Sequence, residues 1–489
     1  MSDTIGLTAL EQRIQQDLAY LNLPIAPWAL SPQDDHHLDV AIIGAGMAGV
    51  TAAFALKLKG ITAQVFDQNP DGHEGPWRKP ALMETLRSPK HVVGPALASP
   101  SLTFQAWFKA QFGDEAWDQL DKIPRLQWAE YLQWFKKMTA PSLHHRHTLT
   151  HVDVAATGVW LTFDTPNGTQ RHHAQHVILA LGMEAFSEPN IPDFIRHVPT
   201  QYWAHSYDGS DYRRFKGLDV GVVGYSAGAM DSSATALEHG AKSVELLCRC
   251  HDFPRVNRGK IAGGPGFESA YAHFSDAQKW HYAHYVAQAK TPAPHGSTLR
   301  VSRHPNAYFN FDSPVEQVVL KDHKLHVRTS KQTLILDFLI LATGYRINWH
   351  KPGPLAHLSA HIKTWQDVYA PPAAEQDAAL AQHPYLSDAF ELQAKTPGGL
   401  PGVDRLYCLN LTASLSLGPV VGLIPGTNTG ARRLADKIAA KLYMAHHEQH
   451  LALVKNSTDC ELVGDEWTRA APYDTRQPTQ QDNPVPATP

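Results

Sequence analysis

The sequence predicts an α/β protein built from two nested Rossmann-like nucleotide-binding domains, one inserted into the other, with helical, aromatic-rich insertions. Three observations predict it. Two glycine-rich turns, "VAIIGAGMAG" (Val40 to Gly49) and "VGVVGYSAGA" (Val220 to Ala229), each follow a short apolar run and precede a helix-like stretch. Each has a distant apolar partner, "HVILALG" (His176 to Gly182) and "FLILATG" (Phe338 to Gly344), that reads as a buried parallel strand. Finally, 489 residues are too many for one ordinary core.

Residues 1–38 read as an N-terminal helical extension. Leu10, Ile14, Leu18 and Leu21 recur at helical spacing, and no basic segment precedes an apolar one as in a signal peptide. Residues 39–213 are the first part of the outer domain. Asp39 to Ile43 is a strand. Gly44, Gly46 and Gly49 fit G-x-G-x-x-G, Thr51 to Lys59 is a helix that Gly60 ends, and "ITAQVFD" is the next strand, closing in Asp67. A strand, this turn, a helix and an acid about 20 residues on make the dinucleotide fingerprint. Gly44 allows the tight turn, and Gly46 lets backbone approach a pyrophosphate on the free N–H groups of the helix. Gly49 lets helix and strand pack closely, and Asp67 accepts from a ribose.

Within this part, residues 101–138 carry Phe104, Trp107, Phe108, Trp117, Trp128, Tyr131, Trp134 and Phe135. Helical aromatics are usually core, and some could line an apolar substrate chamber. "SEPNIPDF" (Ser187 to Phe194) and "SYDGSDYRRFKG" (Ser206 to Gly217) have the composition of hinges.

Residues 214–334 are the inserted domain. Its turn keeps Gly224 but places Ser226 and Ala229 at the other glycine positions, with Ala227 between them. The next strand, "SVELLCR", ends in Arg249 instead of an acid. A guanidinium there binds a 2′-phosphate, which favours NADPH over NADH. Arg255 and Arg258 follow closely. A second insertion, 251–313, ends in "NAYFNF". Residues 335–468 resume the outer domain with the strand "RLYCLN", the loop "LSLGPVVGLIPGTN" and a helix from about Thr429. Residues 469–489 read as an extended or disordered tail, rich in Pro, Gln and Asp.

Composition narrows the function. A formal charge of −4 gives no footprint for nucleic acid, and no apolar run is long enough to span a bilayer. Four cysteines make no disulfide framework, which fits a reducing, cytoplasmic setting. Histidines cluster at 144, 145 and 147 and at 446, 447 and 450, but no Cys or carboxylate set completes a metal site, and none is expected. A homo-oligomer is left open.

Two nucleotide sites in one chain suggest FAD in the first and NADPH, the electron donor, in the second. Disulfide reduction needs a redox pair, and Cys248 and Cys250 form only C-x-C. An electron-transfer reductase serving a protein partner needs no cysteines. A monooxygenase needs a closed apolar chamber, which the aromatic insertions suit.

The residues that decide among these carry a family resemblance. "EGPWR" (Glu74 to Arg78) is similar to a G-G-x-W segment beside the flavin, and Asp337, Leu341, "ATGY" (Ala342 to Tyr345) and His350 fit D-x-x-x-L-A-T-G-Y-x-x-x-x-H/P. With the two turns, these resemble the class B flavin-dependent monooxygenases: flavin-containing, Baeyer–Villiger and N-hydroxylating enzymes. The likeness spans about residues 39–445. It implies an NADPH-dependent monooxygenase acting on a small molecule and O2 through a C4a-hydroperoxyflavin, at a nucleophilic nitrogen or sulfur. It implies that Trp77 and Arg78 pack near the flavin and that Tyr345 sits where the chain crosses between domains. Gln68, Val152, Thr343, Gly344 and Asn410 complete the expected cofactor-binding set. The signature F-x-G-x-x-x-H-x-x-x-Y/W keeps only His205, with Pro199, Gln201 and Gly209 at the other positions, so ketone oxygenation is the weaker alternative. In "LRSPK", Arg87 holds the place of an asparagine near the flavin and is the candidate catalytic residue. It could stabilise an anionic peroxyflavin, bind a substrate carboxylate, or serve as a structural ion-pair residue.

Overall fold

The computed structural model of the chain describes residues 6–30, 37–183, 185–260 and 264–475. Helix α1 (Leu7–Tyr20) buries Ile14 and rests Leu10 and Leu18, together with Leu7, on the main core, whereas Leu21, expected on the same face, follows the helix and is exposed. Strand β1 (His37–Ile43), helix α2 (Met47–Leu58) and strand β2 (Ala63–Asp67) form the first β-α-β unit. Helices α3 (Phe104–Gln119) and α4 (Arg125–Thr139) follow. All eight aromatics expected there are buried, so they are core and not the wall of an open chamber. Each removes roughly 150–250 Å² from water and packs edge-on or tilted against its neighbours.

Strands β3 (Ser142–His145), β4 (Thr148–Ala155), β5 (Gly158–Thr165) and β6 (Gly168–Leu179) complete the first sheet, in the order β3-β2-β1-β6-β5-β4. The apolar end of β6 pairs parallel with β1, as expected, while its polar start pairs antiparallel with β5. The antiparallel part escaped the sequence reading because its faces mix histidine and threonine with apolar residues.

The chain then crosses over through β7 (Ser187–Pro189). The second sheet contains β8 (Trp203–His205), β9 (Asp219–Val223), β10 (Ser243–Leu247), β11 (Ala307–Asn310) and a strand near the end of this domain. Helix α5 (Ala227–Glu238) connects β9 to β10, and α6 (Pro265–Ala270), α7 (Asp276–Ala289) and α8 (His295–Ser302) precede β11. An antiparallel meander, β12 (Val315–Lys321), β13 (Lys324–Thr329) and β14 (Thr333–Leu336), leads into β15 (Phe338–Leu341), which pairs parallel with both β9 and β8. Strand β16 (Tyr345–Ile347) pairs antiparallel with β7 and returns the chain to the first domain.

These pairings correct two expectations. The inserted domain was expected to span 214–334, yet β8 and β15 belong to its sheet, so the crossing points are β7 and β16. The side chain of Asp337 sets this register by accepting from the Asp219 N–H at 2.9 Å. Likewise, 206–217 is not a hinge. Tyr212 and Phe215 are buried there, and the Tyr212 hydroxyl donates to Ser232 Oγ at 3.0 Å. Two aromatic anchors outweigh a polar, glycine-containing composition.

Helix α9 (Ala378–Ala381), strand β17 (Leu406–Tyr407, paired with β6), helix α10 (Ser414–Leu417) and helix α11 (Thr427–Ala445) complete the first domain. Residues 443–489 group as a separate unit, with α12 (His447–Lys455). There His450 is buried and stacks on Tyr443 at 4.2 Å, while His446 bonds Gln449, so the two do not form a ligand pair. Of the expected tail, residues 476–489 lie outside the described residues. No described helix is long and apolar enough to cross a membrane.

Candidate active site

The first glycine turn has the geometry its sequence demands. Gly44 has φ +103°, and a Cβ there would lie 2.5 Å from the Ala180 carbonyl oxygen. At Gly49 a Cβ would lie 1.9 Å from the Gly44 carbonyl oxygen, which explains the requirement for close packing. At Gly46 a Cβ would meet only Gly75 Cα, at 3.6 Å. Gly46 caps α2, and the space in front of it is a cleft lined by Ala45, Met47, Glu74, Trp77, Arg78 and Lys136. The indole N–H of Trp77 is buried there without a partner. A buried orphan donor beside a glycine turn and free helix N–H groups fits the anionic centre of a dinucleotide.

Asp67 is buried at the end of β2, as expected, but its carboxylate already organises the turn. Oδ2 accepts from Ala45 N–H at 2.7 Å and Oδ1 from Asn69 N–H at 2.8 Å. Each oxygen keeps a second lone pair for a ribose hydroxyl. Gln68 is exposed beside it. Sequence reasoning missed the polar wall opposite. Lys136 donates to Glu74 at 2.6 Å, the His145 imidazole is also 2.6 Å away, and Gln133 donates at 3.0 Å. Burial pushes the Glu74 carboxyl up, but these bonds outweigh it and hold it below the usual range. Gln133 and Lys136 share a face of α4, one turn apart, and no motif marks them. Lys136 also reaches Asp71 at 2.5 Å, so one ammonium already bridges both carboxylates of the Asp71–Glu74–His145 group.

The second turn is similar. Gly224 has φ +134°, and a Cβ there would lie 2.6 Å from the Ala342 carbonyl oxygen. Ser226 caps α5 without using its hydroxyl, and Ala227 begins the helix. Arg249 follows β10 by two residues, exposed, with no hydrogen bond or ion pair to any described residue. Arg255 is paired with Asp252 at 2.6 Å and Arg258 lies over the Tyr285 ring at 5.8 Å, so only Arg249 is disengaged.

The ATGY segment closes the crossover. Thr343 Oγ1 donates to the Asn190 carbonyl at 2.5 Å, and Asn190 N–H donates to the Gly344 carbonyl at 2.9 Å. His205 Nε2 lies 3.0 Å from the same carbonyl, and the Tyr345 ring packs edge-on against His205 and Tyr207. Val152 is sealed in the core on β4. Asn410 is buried as well and donates to the Leu179 carbonyl at 3.1 Å, tying the loop after β17 to the end of β6. Gly422 of that loop packs against the Ala48 side chain, so the loop lies over the start of α2.

Arg87 is exposed, and its Nη2 donates to the Pro292 carbonyl at 2.6 Å, joining its loop to the inserted domain. Burial lowers its pKa, and the nearby Asp231 charge opposes that. Arg125 and Arg300 converge on the same buried Asp231. Arg300 lies 3.7 Å from it and grips Glu238 at 2.7 Å. Three guanidiniums thus face one buried carboxylate between the domains, a convergence no local motif reveals. Cys248 and Cys408 do not suit thiolate chemistry. Burial pushes the Cys248 thiol up to about 12 and Cys408 up to about 11, and all four are free.

Sequence comparison decides the family. A protein-family profile described as FAD-NAD(P)-binding matches residues 41–184. The FAD-dependent urate hydroxylase of Xanthomonas campestris pv. campestris is 32% identical over 489 residues, covering 97% of this chain and 99% of that protein. The chain belongs to the class B flavin-dependent monooxygenases. This monooxygenase shares its fold with the ornithine hydroxylase of Pseudomonas aeruginosa (TM-score 0.66, 13% identity, 83% of this chain and 100% of that one). It also shares it with the L-lysine 6-monooxygenase of Pseudomonas syringae (TM-score 0.63, 15% identity, 83% and 99%). It is therefore an FAD-dependent oxidoreductase that uses a nicotinamide dinucleotide.

Proposed function

We propose that this monooxygenase oxidises NADPH and hydroxylates a small, planar, anionic heterocycle of the urate type. The observation that carries the reading is the end-to-end similarity to a urate hydroxylase. The balance is NADPH, a proton, O2 and substrate-H giving NADP⁺, water and substrate-OH. Bound FAD supplies hydride acceptance and oxygen activation. The chain's own groups do the rest. The N–H groups at the starts of α2 and α5 hold the two pyrophosphates. Arg249 selects the 2′-phosphate. Trp77 and Arg78 line the flavin cleft, and Thr343, Gly344 and Tyr345 keep the crossover closed so that both cofactors share one water-poor crevice. Arg87 presents positive charge to that crevice from the loop joined to Pro292.

A second reading is hydroxylation of an amine nitrogen, or oxygenation of a sulfur. It is favoured by the Asp337–His350 pattern and by the fold shared with ornithine and lysine hydroxylases. In this chain, however, Asp337 pairs with Lys324 and holds Asp219, which is scaffold work inside the inserted domain. The pattern then reports how the sheet is built, and carries little information about substrate.

The test is substrate-dependent NADPH oxidation with mass analysis of products from urate, ornithine, lysine, a thioether and a ketone. Urate alone gaining one oxygen supports the first reading. A hydroxylated amine or an oxygenated thioether supports the second, and an oxygenated ketone would restore the Baeyer–Villiger alternative. Electrons passed to an added protein acceptor, with no product from any compound, would overturn both in favour of an electron-transfer reductase.

A further inference from the structure

Residues 77–87 form a strap that the two domains hold in common, and its consecutive residues are divided between them. The Leu82 side chain packs on the core of the inserted domain, and the Met83 side chain packs on the core of the outer one. The backbone is divided in the same way. The Leu82 carbonyl accepts from Arg300 Nη1 of α8 at 3.3 Å, and the Met83 carbonyl accepts from Arg125 Nε of α4 at 2.8 Å. Arg125 also donates to the Trp77 carbonyl, and its backbone N–H donates to the Glu84 carbonyl at 3.0 Å. At the far end of the strap Arg87 reaches the opposite way, to the Pro292 carbonyl ahead of α8.

Arg300 is the buried member of this set, its side chain 9% exposed. Its Nε and Nη2 grip the two carboxylate oxygens of Glu238 at 2.9 and 2.7 Å, and its Nη1 lies 3.7 Å from Asp231. Asp231 and Glu238 are seven residues apart, so they lie two turns apart on one face of α5. A planar guanidinium held by both oxygens of a carboxylate has little freedom to rotate. One side chain therefore fixes where the Leu82 carbonyl stands relative to α5. Burying such a pair costs desolvation that its attraction roughly offsets, so it supplies orientation more than stability.

The two elements joined here lead to the two nucleotide turns. Helix α5 begins at the second turn, with Ser226 as its cap, and the strap begins at Trp77 in the cleft of the first. A shift of α5 against the strap would move one nucleotide site relative to the other.

We propose that Arg300 and Leu82 are positioning residues that hold α5 in register with the strap and so set the distance between the nicotinamide and the flavin. The assignment rests on the placement of FAD and the nicotinamide dinucleotide proposed above, and is independent of the organic substrate.

The test is anaerobic mixing of holoenzyme with saturating NADPH, or with NADH if that alone reduces the wild type, following loss of flavin absorbance per bound FAD. Calorimetry gives the Kd of the matching oxidised coenzyme, and hydrogen exchange of the apoprotein reports on the amides of residues 77–86. The variants are Arg300→Gln, Arg300→Lys and Leu82→Ala. Arg300→Gln and Leu82→Ala are expected to lower the limiting rate of flavin reduction by about 10–100-fold, the cost of a misplacement of about 1 Å. Both should speed exchange in the strap and leave the coenzyme Kd unchanged, because neither touches the second turn. Arg300→Lys is expected to recover part of the rate. Leu82→Ala leaves every charge in place, so it decides the matter even if Arg300→Gln folds poorly. A wild-type limiting rate or wild-type exchange in Leu82→Ala would overturn the positioning role alone, as would a Kd that weakens in step with the rate. A wild type whose bound FAD stays oxidised with both coenzymes would overturn the cofactor placement, and the positioning role with it.

Discussion

Gly46→Ala separates holding the cofactor from holding the fold. Gly46 has φ −64°, which alanine adopts freely, and the added Cβ would meet only Gly75 Cα at an ordinary 3.6 Å. The apoprotein should therefore keep its stability to within about 0.5 kcal/mol, as surface substitutions do. The methyl would point into the cleft where backbone must approach a pyrophosphate. Losing two hydrogen bonds to that charged group, at about 1.5–3 kcal/mol each, weakens FAD by roughly 100- to 10,000-fold. Gly49→Ala makes the control. Its Cβ would lie 1.9 Å from the Gly44 carbonyl oxygen, so the backbone itself must move. That variant should lose about 1–3 kcal/mol or more of apoprotein stability. The assay is quenching of flavin fluorescence on titrating apoprotein, with thermal unfolding of each variant without FAD. Stoichiometric FAD in purified Gly46→Ala would refute the reasoning, since no pyrophosphate could then lie against that turn.

Arg249→Ala should lower kcat/KM for NADPH by about 10–100-fold and leave NADH nearly unchanged, because one charge-assisted contact is lost. Equal effects on both coenzymes would place the phosphate elsewhere. His176 is buried against Tyr407, and burial, with the Arg405 and Lys441 charges, drives its pKa down to about 3. The unfolded chain, with a histidine pKa near 6.5, binds the proton first. Stability should thus be full above about pH 6.5 and fall steadily toward pH 3, with about 2 kcal/mol lost by pH 5. Urea midpoints at pH 7 and pH 5 measure this, and His176→Gln should flatten the difference; an unchanged acid slope would assign it to other groups. Asp337→Asn should cost about 1.5–3 kcal/mol of stability through its contacts to Lys324 and Asp219, yet leave the product profile intact. A changed choice of substrate would return that residue to the active site.

Both nucleotide turns were legible because each depends on local steric rules. The glycines at 44, 49 and 224 are required by carbonyl oxygens within 3 Å of where a Cβ would sit, and no other residue type leaves that room. The domain boundary was less legible. Whether β8 and β15 belong to the first or second sheet depends on hydrogen bonds to β9 and β15, and apolar runs alone do not distinguish sheets. The aromatic stretch showed that its residues are apolar, not which way they face. Long-range charge groupings were invisible. Arg87, Asp231 and Arg300 are far apart in sequence and meet only because α5 and α8 pack together beside the loop around Leu82, whose carbonyl Arg300 also binds.

Turnover under ¹⁸O2 with NADPH and urate shows whether electrons from NADPH place one atom of O2 into an organic substrate. One ¹⁸O atom in the product for each NADPH consumed is the expected result. NADPH consumption with all the label in hydrogen peroxide, and none in urate or in any of the amines, thioethers or ketones, would contradict it.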